Sequence, residues 1–183
     1  GCVQQFGEQM LNIGRNAWLQ AGLPFEAPAT TLDCQCGSGQ QAVNVAASLI
    51  SSGANDVVLA AGVEHMGRVP LGSGVKFTSE LGTPWPGPLL ERYDLVPQGI
   101  AAERVADKWG IDRTELDALS LASHERAAAA SAEGRFVREI VPVKGVDGLV
   151  QEDQGIRPDT TLDRLAALRP AFDADGKVTA GNS

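Results

Sequence analysis

Histidine is nearly absent from this sequence, with only His65 and His124, and lysine occurs only at Lys76, Lys108, Lys144 and Lys177. With scattered arginines, a formal net charge of −8 and a pI near 4.7, the chain lacks the clustered cations that grip phosphates. A nucleic-acid or anionic-membrane partner is therefore excluded. Local arginines can still hold an anionic ligand, because net charge governs long-range steering and not pocket chemistry. Cysteine is sparse and odd in number (Cys2, Cys34, Cys36), which excludes a disulfide framework and points to a reducing compartment. No apolar run approaches the roughly 20 residues that span a bilayer. The opening Gly-Cys-Val has no Met, basic n-region or apolar h-region, so no signal peptide is expected. Internal repeats and low-complexity linkers are also missing. A hydrophobic fraction of 43% and a charged fraction of 21% describe a soluble globular chain, long enough at 183 residues for one core.

Periodicity supplies the elements. Phe6, Met10, Ile13, Ala17 and Trp18 recur at helical spacing until Gly22 and Pro24 end the pattern. Residues 29–34 read as a short strand entering the turn Cys36-Gly37-Ser38-Gly39. Gln40 to Ser52 is small or apolar on nearly every face, as an interior helix is. Asp56 to Ala61 reads as a buried strand, and strand–helix–strand order predicts an α/β fold around a largely covered sheet. Residues 62–97, rich in Gly and Pro, read as a long excursion. Helices are expected over Gly99–Trp109 and Arg113–Glu133, the second with Asp112 as N-cap, Glu115 three residues later and Gly134 past its end. Ile140–Val143 is a strand candidate, Thr161–Leu168 a short amphipathic helix, and Lys177–Ala180 the beginning of a strand. Neither end carries a terminal cap, so the chain is expected to be cut from something longer.

Cys36 sits where a strand turns into a helix, and Gly37 and Gly39 let the backbone turn sharply and approach a ligand. Free N–H groups and the positive end of a helix favour thiolate. The same N–H groups can hold the oxyanion of acyl transfer. A thiol suits exchange of acyl groups with another thiol, since the two thioesters are nearly equal in energy. The competing readings are a small buried filler at Cys36 and a redox or metal role for Cys34-Gln35-Cys36. The latter lacks the two-residue spacer of redox motifs and any second ligand pair, so no metal site is expected.

Gly-x-Val-x-Gln at 1–5, Ala21-Gly22-Leu23-Pro24, Pro28-Ala29-Thr30-Thr31 and Cys36-Gly37-Ser38-Gly39 resemble the thiolase family in that order. So do Ala60-Ala61-Gly62-Val63-Glu64-His65-Met66, Leu168-Arg169-Pro170-Ala171-Phe172 and Thr179-Ala180-Gly181-Asn182-Ser183. The resemblance implies a layered α/β/α architecture: an incomplete N-terminal half over 1–66, an inserted CoA-binding loop domain over 67–177, and a return to the core over 178–183. It implies an acyltransferase that cleaves 3-ketoacyl-CoA with CoA through an acyl-enzyme on Cys36, the only catalytic residue that carries over. The family's activating histidine, acid/base cysteine and water-holding asparagine belong to a second half. His65 and His124 match none of them, and His124 reads as solvated on a charged helix.

For substrate binding the resemblance implies Arg157 against the CoA nucleotide, Phe172 lining its groove, and Ala180 and Gly181 beside pantetheine. A solvated loop arginine and an ordinary core phenylalanine are the alternatives there. Arg164 departs from relatives that carry a small CoA-contacting serine. Pro97 stands where biosynthetic acetoacetyl-CoA members have a histidine, which favours the degradative type; a biosynthetic thiolase, a ketoacyl synthase and a non-catalytic acyl-CoA-binding relative are the rivals. Acyl-CoA and CoA enter as substrates, with no cofactor. A homodimer or homotetramer in the cytoplasm, or in an organelle matrix if eukaryotic, is expected. The 183 residues alone should neither turn over substrate nor fold stably, because the helix after Cys36 would lack its covering layers.

Overall fold

Asn12 interrupts the first expected helix. A 3-10 turn covers Gly7–Gln9, Leu11 and Asn12 take positive φ (55° and 62°), and α1 begins only at Ile13 and runs to Gln20. The break has a side-chain cause. Asn12 Nδ2 donates to the Ala29 carbonyl at 2.7 Å, and Asn12 Oδ1 accepts from Thr31 Oγ1 at 3.1 Å. An amide that bonds to a distant segment competes with helix continuation. Arg15 adds bonds to the carbonyls of Ala27 and Phe25, so residues 25–31 are sewn to the front of α1.

The computed structural model describes residues 1–183, which form two compact units, Gly1–Glu91 and Arg92–Ser183. In the first, α2 (Ser38–Ser51) follows the cysteine turn, and α3 (Thr78–Leu81) and α4 (Gly87–Arg92) lie in the Gly- and Pro-rich excursion. The strands expected at 29–34 and 56–61 form no ladder. They run beside Gly1–Val3, with Cys2 N–H donating to Leu32 O (3.1 Å), Gly1 N to Ala61 O (2.8 Å) and Val63 N–H to Gly1 O (3.1 Å). One or two bonds to a short intervening segment are too few for a regular strand. The 56–61 run is not buried either, with Val57 88% and Leu59 75% exposed. Only Ser38 and Ala46 of α2 are buried, so the interior character of its sequence is uncovered within these residues.

The second unit follows the sequence more closely. α5 (Gln98–Trp109) ends at Gly110, in left-handed conformation at φ 64°. α6 (Arg113–Ala132) opens with the expected capping box: Glu115 N–H donates to Asp112 Oδ1 at 2.9 Å and Asp112 N–H to Glu115 Oε2 at 3.0 Å. Gly134 beyond it has φ 70°. The strand expected over Ile140–Val143 lies slightly later, as β1 (Val143–Lys144) paired antiparallel with β2 (Leu149–Val150). α7 (Leu162–Ala166) is shorter than expected and capped by Thr161 Oγ1. Lys177–Ala180 makes only an isolated bridge, Thr179 to Pro170.

Candidate active site

The cysteine turn is built by local hydrogen bonds. Gly37 N–H donates to Cys34 O and Ser38 N–H to Gln35 O, both at 3.0 Å. The buried Ser38 hydroxyl accepts from Cys34 N–H at 2.9 Å and donates to Gln35 O at 2.6 Å. Gln35 has φ 49°, a conformation that costs a non-glycine residue about 1–2 kcal/mol. Bonds at every corner of the turn hold that strained residue in place. The result sets Cys36 just before Gly37, the N-cap of α2, with its thiol exposed.

The other two thiols have different surroundings. Cys2 is buried and burial pushes its thiol up, away from thiolate, with the Glu64 charge adding to the effect. Cys34 is exposed, its sulfur over the α-carbon of Gly37.

A polar cluster that sequence reasoning did not single out forms around Glu64 and Gln9. The Glu64 carboxylate accepts from Val3 N–H (2.8 Å), Gln4 N–H (3.2 Å) and Gln9 Nε2 (3.2 Å). Gln9, only 2% exposed, also donates to Gln4 O at 2.6 Å, and its own Oε1 accepts from His65 N–H at 2.6 Å. Partial burial pushes the Glu64 carboxyl up, but the three donors outweigh it and hold the group below its ordinary value. The signal available in the sequence was Glu64 directly after an apolar run, where a charge needs partners. The His65 side chain is exposed, with Nδ1 3.2 Å from Glu8.

The expected CoA-binding residues all fall in the second unit. Arg157 is exposed, and its guanidinium makes no ion pair. Its backbone is fixed by donation from Arg157 N–H to His124 Nδ1 at 3.2 Å and by Thr160 Oγ1 donating to Arg157 O at 2.8 Å. His124 is thus half-buried and engaged, not solvated. Arg164 turns away to bond the Asp159 carbonyl and carboxylate, and its guanidinium holds the Asp159 carboxyl below the usual range.

Phe172 lies with one face on Gly99 of α5 and remains 46% exposed; a methyl on Gly99 would sit 2.0 Å from the ring. It is therefore neither a core residue nor a free one. Ala180 is exposed, and Gly181 presses on Leu165 and Leu168, each 2.6 Å from where its Cβ would be. Behind this turn, Asn182 Nδ2 donates to the buried Asp117 at 2.8 Å, and Asp117 is paired with Arg113 at 2.8 Å. The Glu103 carboxylate, also buried, accepts from Lys177 and Val178 N–H at 2.8 Å each. Sequence reading missed it, although Glu103 shares the stripe of Gly99 and Ala106 on α5.

Comparison with known proteins gives the family. A family model described as "Thiolase, N-terminal domain" matches residues 1–183. The chain belongs to the thiolase family. The 3-ketoacyl-CoA thiolases of Aliivibrio fischeri and Pseudoalteromonas translucida are each 46% identical to it over 189 residues, covering 100% of this chain and 47% of their own length. The chain thus spans about half the length of the curated relatives it matches. Among solved structures, the dimeric peroxisomal thiolase of Saccharomyces cerevisiae is similar with TM-score 0.84 and 36% identity, over 100% of this chain and 47% of that one. The expected thiolase-like α/β class therefore holds, even though the core strands carry too few bonds here to register as strands.

Proposed function

We propose that the full-length protein is an acyl-CoA:acetyl-CoA C-acyltransferase of the degradative type, which cleaves 3-ketoacyl-CoA with coenzyme A through an acyl-enzyme on Cys36. The observation that carries this reading is the exposed thiol on a rigid turn at the N-terminus of α2, in a chain whose relatives are named 3-ketoacyl-CoA thiolases. The Cys36 thiolate attacks the 3-keto carbon. The bond between the second and third carbons breaks, its electron pair is protonated, and acetyl-CoA leaves. The thiolate of free CoA then attacks the thioester, and Cys36 departs as thiolate. Backbone N–H groups of the turn stabilise the oxyanion at both stages.

No residue of this chain supplies the proton transfers; those fall to the family's second half. CoA and acyl-CoA are substrates, and no step calls for a metal or cofactor. Arg157 and Phe172, in a loop domain over 67–177, bind the nucleotide end. Ala180 and Gly181, in the core segment 178–183 that follows it after the first core segment 1–66, bind the pantetheine. A homodimer or homotetramer in the cytoplasm, or in an organelle matrix if eukaryotic, is part of the same proposal; the similar yeast thiolase is a dimer, and no helix of this chain is long and apolar enough to cross a membrane. The test is to incubate the full-length protein with acetyl-CoA and map the acyl label by mass spectrometry. Label on Cys36 and its loss in Cys36→Ala are expected. Stable label on Cys34 with none on Cys36 would refute the assignment.

A further inference from the structure

We propose that Glu64 is a positioning residue for Cys36, acting through the strap formed by Gly1–Gln4; this rests on reading Cys36 as the acyl-carrying nucleophile. The chain of contacts is continuous. Glu64 holds the far end of the strap through Val3 and Gln4 N–H, and Gln9 closes the grip by bonding both Glu64 and Gln4 O. The near end is fixed to the segment that precedes Glu64: Gly1 N donates to Ala61 O and Gly1 O accepts from Val63 N–H. Cys2 N–H ties the other edge to Leu32, two residues before Cys34.

The strap then meets α2 as backbone on backbone. A Cβ on Gly1 would stand 2.6 Å from the carbonyl carbon of Ser38 and 2.8 Å from Gly39 N. No flexible side chain intervenes to absorb a displacement, so a shift of the strap moves the first turn of α2. Ser38 is the residue whose hydroxyl and N–H fix Cys34 and Gln35. Movement at Ser38 is therefore delivered to the turn that carries the Cys36 thiol and the N–H groups beside it. Glu64 touches none of the reacting atoms. It sets where they stand, and misplacement by about 1 Å costs on the order of 100-fold in rate.

The test uses the full-length protein with Glu64→Gln, Glu64→Asp, Gly1→Ala and the double variant Glu64→Gln/Gly1→Ala. Three quantities are read: the single-turnover rate of Cys36 acylation by acetyl-CoA, KM for CoA, and the thermal midpoint. Glu64→Gln keeps one acceptor oxygen but faces a strap N–H with its amide donors. It is expected to slow acylation by about tenfold or more, with KM for CoA unchanged within about twofold, since orientation and not binding is lost.

Glu64→Asp, which keeps the carboxylate, recovers part of the rate. Gly1→Ala leaves Glu64 intact, drives a methyl into Ser38 and Gly39, and gives the same split between rate and KM. If both act through the strap, the double variant is no slower than about threefold below the worse single one. A lowered thermal midpoint with wild-type acylation in Glu64→Gln overturns the proposal, because the carboxylate is then only structural. Should Glu64→Gln fail to fold, wild-type acylation in Gly1→Ala overturns it equally. Absence of label on Cys36 in the wild-type protein removes the nucleophile reading itself, a separate failure.

Discussion

Glu103→Gln is expected to free the backbone of Lys177 and Val178 without unfolding the rest of the second unit. In the wild type one oxygen accepts from Val178 N–H and the other from Lys177 N–H, at 2.8 Å each, on a side chain that is 7% exposed. Hydrogen bonds to a charged acceptor contribute about 1.5–3 kcal/mol each. Glutamine keeps one carbonyl oxygen, which replaces one of them by a neutral bond of about 1 kcal/mol, and turns an amide donor toward the other N–H. The net loss is about 2–5 kcal/mol, felt where the bonds were.

Native-state hydrogen exchange of the full-length protein reads this directly, residue by residue. At about 1.4 kcal/mol per factor of ten, the Lys177 and Val178 amides should exchange roughly 30- to 4,000-fold faster. Gly176→Ala attacks the same grip from the other side, because its Cβ would stand 2.2 Å from Glu103 Oε1. It should accelerate the same two amides. Unchanged protection of both amides in Glu103→Gln would refute the reasoning, since the carboxylate would then contribute nothing to holding that backbone.

Arg157→Ala should raise KM for CoA about tenfold with little effect on kcat, as loss of one charge-assisted contact does. Arg157→Lys should recover little, because an ammonium cannot reproduce a planar fork; an unchanged KM in the alanine variant sinks the CoA role. For Glu64 the folded carboxyl lies below its ordinary value of 4.5, so the stability it adds is complete above that pH and is lost only as pH falls through the lowered value. Exchange protection of the Val3 and Gln4 amides should therefore survive acidification to about pH 5 and collapse below the ordinary carboxyl range, a step that Glu64→Gln removes. The 183 residues expressed alone should melt without cooperativity and show no loss of acetoacetyl-CoA with added CoA, given the exposed Val43, Ile50, Val57 and Leu59. A cooperative melt with turnover abolished by Cys36→Ala would contradict this.

What could be read from the sequence was local. The Asp112–Glu115 capping box, the glycine stops after α5 and α6 and the cysteine turn each depend on residues within four positions of one another. What escaped was set by partners far along the chain. Asn12 breaks its helix to reach Ala29 and Thr31, and nothing around Asn12 announces that. His124 sits on a charged helix and reads as solvated until the backbone of Arg157 is brought to it. Glu103 looks like one more surface acid among 23 acidic residues, and the position of Glu64 after an apolar run says that it needs partners but not which, because the donors they serve are backbone groups with no signature of their own. Strands fail for a related reason: 29–34 and 56–61 have strand composition, but a ladder belongs to a pair of segments and not to either one.

The two carboxylate grips have a consequence for which substitutions the protein can accumulate. Each holds a pair of consecutive residues by main-chain N–H alone, Val3 with Gln4 and Lys177 with Val178. Most side chains can in principle exchange at Gln4 and Lys177 without touching the grip, since neither side chain takes part in it. Proline is the one residue barred from all four positions, because it brings no N–H. Positions 4 and 177 should therefore drift freely in identity among functional variants while never becoming proline. Glu64 and Glu103, which look replaceable by any polar residue, should tolerate almost none.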